Sequence, residues 1–211
     1  MENPLVLRAF ALSLLLVSTA CGQAEPPAGT GRRVAAVKAE KPAGAANDGG
    51  GFCEKAYPTT GPEARRFEWP PLQPLPVPEV ADAPAVMHGW LWVNVWATWC
   101  QPCLAEMALL GKWTRALDDE GRAIRLELLT IDVAEQTEAL KQRLNAGLPG
   151  RARWLRSEAD FGPFLDLLGV DRHAAIPIHA LVDPQGMLRC VRVGAISGQD
   201  YAAIKGILTG G

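Results

Sequence analysis

Trp90–Cys103 reads WLWVNVWATWCQPC. Its first seven residues, Trp90–Trp96, form a nearly continuous apolar run of strand length, the pattern of a strand covered on both faces. Periodicity changes immediately afterwards. From Gln101 to Asp119 the residues Cys103, Met107, Leu110 and Leu117 recur at helical spacing, and the segment ends in Asp118-Asp119-Glu120-Gly121. Two cysteines three positions apart therefore stand where a buried strand turns into a helix. At that place their sulfurs can form a reversible disulfide. Cys100 falls at the helix N-terminus, where unpaired backbone N–H groups and the helix dipole stabilise a thiolate, and Cys103 lies one turn in and is shielded. The two divide the work: Cys100 attacks and Cys103 resolves. Pro102 sits in the first turn, which tolerates proline.

Working outward, Ile124–Val133 is a second apolar strand, and Ala134–Asn145 is a polar amphipathic helix closed by Gly147. Asp160–Leu168 is a short helix, and Ile178–Val182 and Met187–Val193 are strands joined by the turn Asp183-Pro184-Gln185-Gly186. Ser197-Gly198-Gln199-Asp200 resembles a capping box opening a last helix to Leu208. The order β-α-β-α-(α)-β-β-α predicts an α/β fold, a mixed central sheet with helices on both faces. Strands separated by helices pair in parallel, and the tight turn makes an antiparallel hairpin.

The chain has 211 residues, enough for one domain with an extension. Its 21 Lys+Arg against 23 Asp+Glu give a net charge of −2, so no basic excess argues for nucleic acid. Apolar residues are unevenly placed: residues 22–51 contain no Leu, Ile, Phe, Met, Trp or Tyr, and five of the seven Trp lie between Trp90 and Trp113. The working domain is placed at 85–211. Residues 1–20 carry Arg8, the apolar run Ala9–Val17 and then Ser18-Thr19-Ala20, the layout of a signal peptide. That run falls far short of the ~20 residues a membrane span needs. The chain is expected to be exported. Two cleavages compete, since Ser18-Thr19-Ala20-Cys21 resembles a bacterial lipoprotein box while Ser18 and Ala20 also suit ordinary signal peptidase. The tail that follows favours a lipid on Cys21. In residues 21–51, a flexible lipid-anchored linker is expected, because Gly, Ala and Pro fill 18 of the 30 positions after Cys21 and leave little apolar surface to offset ordering. Residues 52–84 alternate Phe52, Cys53, Tyr57, Phe67 and Trp69 with eight prolines, and read as an extended arm packed on the core.

Competing chemistries fare worse than redox work at Cys100 and Cys103. Haem attachment needs His after the second Cys, and position 104 is Leu. A zinc site needs a second ligand pair, but His88, His173, His179, Cys53 and Cys190 show no recurring spacing, so no metal is expected. The two cysteines outside the motif, Cys53 and Cys190, are an even remainder once Cys21 takes a lipid. In an oxidising compartment they are candidates for a structural disulfide pinning the arm, against the plainer reading of a buried strand cysteine and a free thiol.

Val93–Met107 (VNVWATWCQPCLAEM), the strand ending Thr130-Ile131-Asp132, Ile176-Pro177 and the hairpin Ala180–Gly198 together resemble the thioredoxin-like proteins of the TlpA/ResA type. The resemblance spans about residues 88–208 and stops before the arm. It implies a thioredoxin fold and a bacterial, membrane-tethered thiol-disulfide oxidoreductase on the extracytoplasmic (periplasmic) side. The implied activity is reduction of disulfides in oxidised envelope proteins such as apocytochrome c, with electrons from a membrane thiol transporter and no cofactor beyond the Cys100–Cys103 disulfide. It also implies that Pro177 is the cis-proline beside that disulfide, leaving Ile176 free to pair with an extended client, and that Trp99, Gln101 and Pro102 line the client site. Glu106 matches an acidic residue behind the motif. Independently, Cys103 and Glu106 are i,i+3 and share a helix face, so a carboxylate there can exchange the resolving thiol's proton. The plainer reading is a solvated Glu near a helix N-terminus. Asn94 stands where thioredoxins proper carry a buried acid, which favours Glu106 as the relay. A dithiol oxidase shares every one of these motifs. A tethered carrier of copper or of an unfolded client without turnover is the other class; copper carriers of this fold usually space the two cysteines further apart and add a nearby His, and this chain shows neither.

Overall fold

The computed structural model describes residues 46–77 and 89–210. The expected signal peptide 1–20, the lipid site Cys21, the linker up to residue 45, the end of the arm at 78–84 and His88 lie outside the described residues.

Three two-residue strands come first, β1 (Lys55–Ala56), β2 (Arg65–Arg66) and β3 (Leu72–Gln73). The domain follows as β4 (Trp90–Trp96), α1 (Gln101–Asp119), β5 (Ile124–Thr130), α2 (Thr137–Ala146), β6 (Arg151–Leu155), α3 (Phe161–Leu168), β7 (Ile178–Val182), β8 (Met187–Val193) and α4 (Tyr201–Thr209). All strands join one mixed sheet in the order β1-β8-β7-β4-β5-β6-β3, with β2 also on β8. The β4, β5 and β6 strands run parallel, while β7 and β8 are antiparallel to their neighbours. This is a thioredoxin-like fold, with helices on both faces of its sheet.

Strand period 2 sorts the core into two layers. Trp92, Trp96, Leu126, Leu128, Leu181 and Cys190 face Leu110, Trp113 and Leu117 of α1 and Ile204, Ile207 and Leu208 of α4. Val93, Val95, Leu129, Ile178, Ala180 and Val191 face Phe164, Leu165 and Leu168 of α3. Every residue of β4 is buried, as its unbroken apolar run predicts. Gly111 stands within α1, where a Cβ would meet the Pro149 Cβ at 2.8 Å.

Sequence and structure differ in several places. The second strand ends at Thr130, and a 3-10 turn at Ala134–Gln136 precedes α2. Strand β6, which the sequence reading left out, has only Trp154 and Leu155 buried, because Arg151 and Arg153 turn to the partly open side. Arg153 Nε donates to Glu127 Oε2 at 2.8 Å, so the strand is held by a charge pair that hydrophobic periodicity does not register. The supposed capping box keeps one half. Asp200 Oδ2 accepts from Ser197 N at 2.7 Å, but the Ser197 hydroxyl also donates to Asp200, and α4 starts at Tyr201.

The arm clips both sheet edges, through β1 and β2 on β8 and β3 on β6. Between them Tyr57 Oη donates to the Leu168 carbonyl at 2.8 Å, and Arg65 Nη1 donates to the carbonyls of Asp166 and Leu167 at 3.1 and 2.9 Å. These bonds occupy the carbonyl end of α3, whose chain leaves through Gly169 at φ 73°. A Cβ there would lie 2.0 Å from Tyr57 Oη, so only glycine admits the clasp. The packed segment begins earlier than the linker boundary drawn at residue 51. Asn47 Nδ2 donates to the Gly206 carbonyl at 3.0 Å, which fastens residues 46–51 to α4.

Candidate active site

The central strand β4 delivers the chain to the carboxyl edge of the sheet, where crevices form in open α/β folds. There Cys100 N donates to the Ala97 carbonyl at 3.1 Å, turning the backbone so that Cys100 becomes the N-cap of α1. Cys103 N donates to Cys100 Sγ at 3.3 Å, one of the orphan N–H groups of a helix start aimed at the sulfur. Cys100 and Cys103 are joined, S–S 2.01 Å. Accessibility separates them: Cys100 is 4% exposed and Cys103 is sealed at 0%, so a reagent from solvent reaches Cys100 first. Once the disulfide is opened, Cys100 Sγ faces a backbone N–H and the positive end of α1.

An exposed rim surrounds the disulfide. Trp99 is 57% exposed, the large apolar side chain most open to solvent among the described residues, and Gln101 and Pro102 are exposed beside it. Opposite them the Ile176–Pro177 peptide is cis, and the Ile176 carbonyl oxygen lies 3.8 Å from Cys100 Sγ. Ile176 is half-buried and Pro177 is buried. The structure thus brings Trp99, Gln101, Pro102 and Ile176-Pro177 around one sulfur.

Asp132, read from sequence only as a strand end, holds the loop that carries the rim. It is 2% exposed, its Oδ1 accepts from Thr98 N at 3.0 Å and from Thr98 Oγ1 at 2.7 Å, and its Oδ2 accepts from Thr130 Oγ1. Its own carbonyl accepts from Trp154 Nε1 at 2.6 Å. A buried carboxylate fully supplied with donors is a rigid anchor, and the residue it holds, Thr98, lies two before Cys100.

Glu106 is buried at 3% exposure behind the pair, on the same face of α1 as Cys103. Its Oε1 accepts from Asn94 Nδ2 at 2.9 Å, and its Oε2 accepts from Ile196 N at 2.9 Å. His179 Nε2 lies 3.4 Å from Oε1. The solvated-Glu reading is therefore excluded: this carboxylate is enclosed, and each of its oxygens accepts a hydrogen bond from an N–H group. Along the sequence His179 is only one of several scattered His and Cys residues without the spacing of a zinc site. What places it here is register, since β4 and β7 pair Asn94 with His179.

Cys53 and Cys190 form a second disulfide, Cα–Cα 5.4 Å, joining the start of the arm to β8. Cys190 is buried in the layer that also holds Cys100 and Cys103. Among the described residues no group of three or more His, Cys, Asp or Glu could hold a metal ion, and no helix is long and apolar enough to cross a membrane.

A thioredoxin-like domain with a two-cysteine motif capping its first helix is the class that strand order and site define. No family model matches the chain. Solved structures it resembles include the thioredoxin domain of a thiol-disulfide oxidoreductase from Bacteroides vulgatus, at 19% identity over 58% of this chain and 81% of that one, TM-score 0.43. Another is a thioredoxin-related protein from Neisseria meningitidis serogroup B, at 18% identity over 59% and 85%, TM-score 0.44. A third is a DsbF homologue from Corynebacterium diphtheriae, at 19% identity over 56% and 71%, TM-score 0.44. At such identities and scores, the chemistry of this chain has to be read from its own dithiol.

Proposed function

We propose that the chain is a thiol-disulfide oxidoreductase, and that it acts as a reductase of disulfides in exported proteins. The observation that supports this reading is the Cys100–Cys103 disulfide at the N-cap of α1, with one sulfur at a client-sized rim and the other sealed beneath it. In the reduced protein the Cys100 thiolate attacks a client disulfide, forming a Cys100–client bond and releasing one client thiolate. Cys103 then gives its proton to the Glu106 carboxylate and attacks Cys100. The Cys100–Cys103 bond forms, the mixed disulfide breaks, and the second client thiolate leaves. The client gains two electrons and the enzyme holds the disulfide. A membrane thiol-electron transporter resets it, which fits an exported protein anchored through a lipid on Cys21. Oxidised apocytochrome c is the client class that the resemblance to TlpA/ResA-type proteins suggests.

Direction is the finer part of the proposal. In a two-electron couple, roughly 30 mV is about 1.4 kcal/mol, so small electrostatic differences around Cys100 separate a reductase from a dithiol oxidase. Insulin reduction by dithiothreitol tests the class: the protein should accelerate it well above the uncatalysed rate, Cys100→Ser should return it to background, and Cys103→Ser should accumulate a mixed disulfide. A wild-type rate equal to dithiothreitol alone would leave a copper or client carrier as the better reading. Equilibration against glutathione then fixes direction, with a potential near that of protein disulfide isomerase or above, about −180 mV, favouring the oxidase.

A further inference from the structure

Resting on the dithiol reading above, we propose that His179 is a positioning residue for Glu106: a neutral ring, locked in one tautomer, that keeps a donor on the carboxylate and so sets the pH at which Cys103 can resolve a mixed disulfide.

The lock is visible in the contacts of the ring. Trp92 Nε1 lies 3.3 Å from His179 Nδ1, and Asn94 Nδ2 lies 3.4 Å from the same atom. Indole N–H is a donor and nothing else, so Nδ1 must accept. The ring proton of neutral histidine is then on Nε2, and Nε2 is the atom 3.4 Å from Glu106 Oε1. An imidazolium would point an Nδ1–H at two N–H donors. His179 is 1% exposed and its Nε2 makes no hydrogen bond, so the acceptor it faces is Glu106 Oε1 at 3.4 Å.

The neighbours from the other packed elements add no competing charge. Arg192 of β8 stands across from His179 in register, but its guanidinium lies over the Phe52 ring and Nη1 donates to the Phe52 carbonyl at 3.2 Å. On α1 the facing group is Glu106, on β4 Trp92 and Asn94, and before α4 the Ile196 N–H holds Oε2. Glu106 is thus an enclosed carboxylate whose close contacts are all N–H groups of neutral partners. Two of these N–H groups donate to it at 2.9 Å, and His179 Nε2 faces it at 3.4 Å. Removing one makes the carboxylate hold a proton more tightly, so the base form that Cys103 needs is reached only at higher pH.

The two thiol steps separate in one experiment. Reduced full-length protein is mixed with 5,5′-dithiobis(2-nitrobenzoate) in a stopped-flow instrument. In the first phase Cys100 thiolate cleaves the reagent's disulfide, forming Cys100–S–S–nitrothiobenzoate and releasing one nitrothiobenzoate. In the second, Cys103 passes its proton to Glu106 and attacks Cys100, closing the protein disulfide and releasing the other. His179→Leu should move the acid limb of the second phase up by about half a pH unit or more, a threefold or larger slowing on that limb, with little change in the first. His179→Gln offers an amide oxygen to Trp92 and an N–H to Glu106 without a titrating ring, and should restore the limb. An unmoved limb in His179→Leu overturns the proposal, and so does a limb displaced equally in His179→Gln. If His179→Leu fails to fold, His179→Gln and His179→Asn carry the comparison: the longer amide should keep the limb and the shorter one displace it, and equal limbs overturn the proposal. Failure of the dithiol reading looks different: wild type would release fewer than two nitrothiobenzoates and would not accelerate insulin reduction.

Discussion

Replacing Cys53 and Cys190 together by alanine removes the bridge between arm and sheet, and its cost follows from topology. The linked residues are 137 apart in sequence. Chain-entropy arithmetic for a loop of that size gives about 5 kcal/mol at 25 °C, an upper figure that residual denatured structure reduces to roughly 2–4 kcal/mol. Without the bridge the arm keeps the pairing of Lys55 with Val191, Ala56 with residue 190 and Arg65 with Leu188, together with the Tyr57 and Arg65 bonds to the end of α3. Each such bond contributes on the order of 1 kcal/mol. The arm should therefore stay docked in the native state, and the loss should appear in global unfolding. Urea denaturation followed by tryptophan fluorescence reads it: with a slope of about 2 kcal/mol per molar, the midpoint should fall by about 1–2 M at unchanged slope. Substitution is preferable to a reductant, because reductant would also open the Cys100–Cys103 pair. A midpoint shift under about 0.3 M, or any reactive thiol mapped to Cys53 or Cys190 in oxidised denatured protein, would refute the reasoning. A lower slope in the double variant would show instead that the arm needs the bridge to dock at all.

Two further perturbations follow from single side chains. Tyr57→Phe removes the bond to the Leu168 carbonyl and should cost about 1 kcal/mol at neutral pH. Burial raises the Tyr57 pKa above its ordinary 10.0, partly offset by Arg65, so the folded protein keeps a proton that the unfolded chain sheds. That contribution is complete below the unfolded value and is lost as pH rises through the folded one, so wild type should lose more stability above pH 10 than Tyr57→Phe does, and parallel urea midpoints across that range would contradict the sign. Asp132→Asn turns an amide N–H toward the Thr98 and Thr130 donors and should cost about 1–3 kcal/mol. Because that anchor orients the loop before Cys100, iodoacetamide alkylation of reduced Cys100 should change as well, and an unaltered rate alongside lost stability would confine Asp132 to a structural role.

The reach of sequence reasoning followed the distance over which each feature is specified. The β4–α1 junction was legible because strand run, helix period and both cysteines lie within Trp90–Asp119, and local periodicity needs no partner to be read. The β7–β8 hairpin was legible through its turn, where Asp183 Oδ1 accepts from Gln185 N and Met187 N at 2.9 Å each. The arm strands were not, because two-residue strands have no period at all and exist only through β8 and β6. The Asp132 anchor and the His179 contact were missed for the same reason in a different form. Each depends on which residue of a distant strand falls opposite, and a shift of one position would turn it to the other face.

Asn94 shows how a correct local observation can hold half of a site. Read along the chain, it is a polar residue in a buried strand where thioredoxins proper have an acid, and that absence directed attention to Glu106. In space, Asn94 Nδ2 donates to Glu106 Oε1 and stands 3.4 Å from His179 Nδ1, so the strand supplies donors while the helix supplies the acid. An acid at position 94 would set two carboxylates within hydrogen-bonding distance in a dry interior, where only one can keep its charge. The amide at 94 and the acid at 106 are therefore one choice rather than two. Exchanging either residue alone breaks it: Asn94→Asp adds a second buried acid, and Glu106→Gln leaves the Ile196 N–H without a charged acceptor.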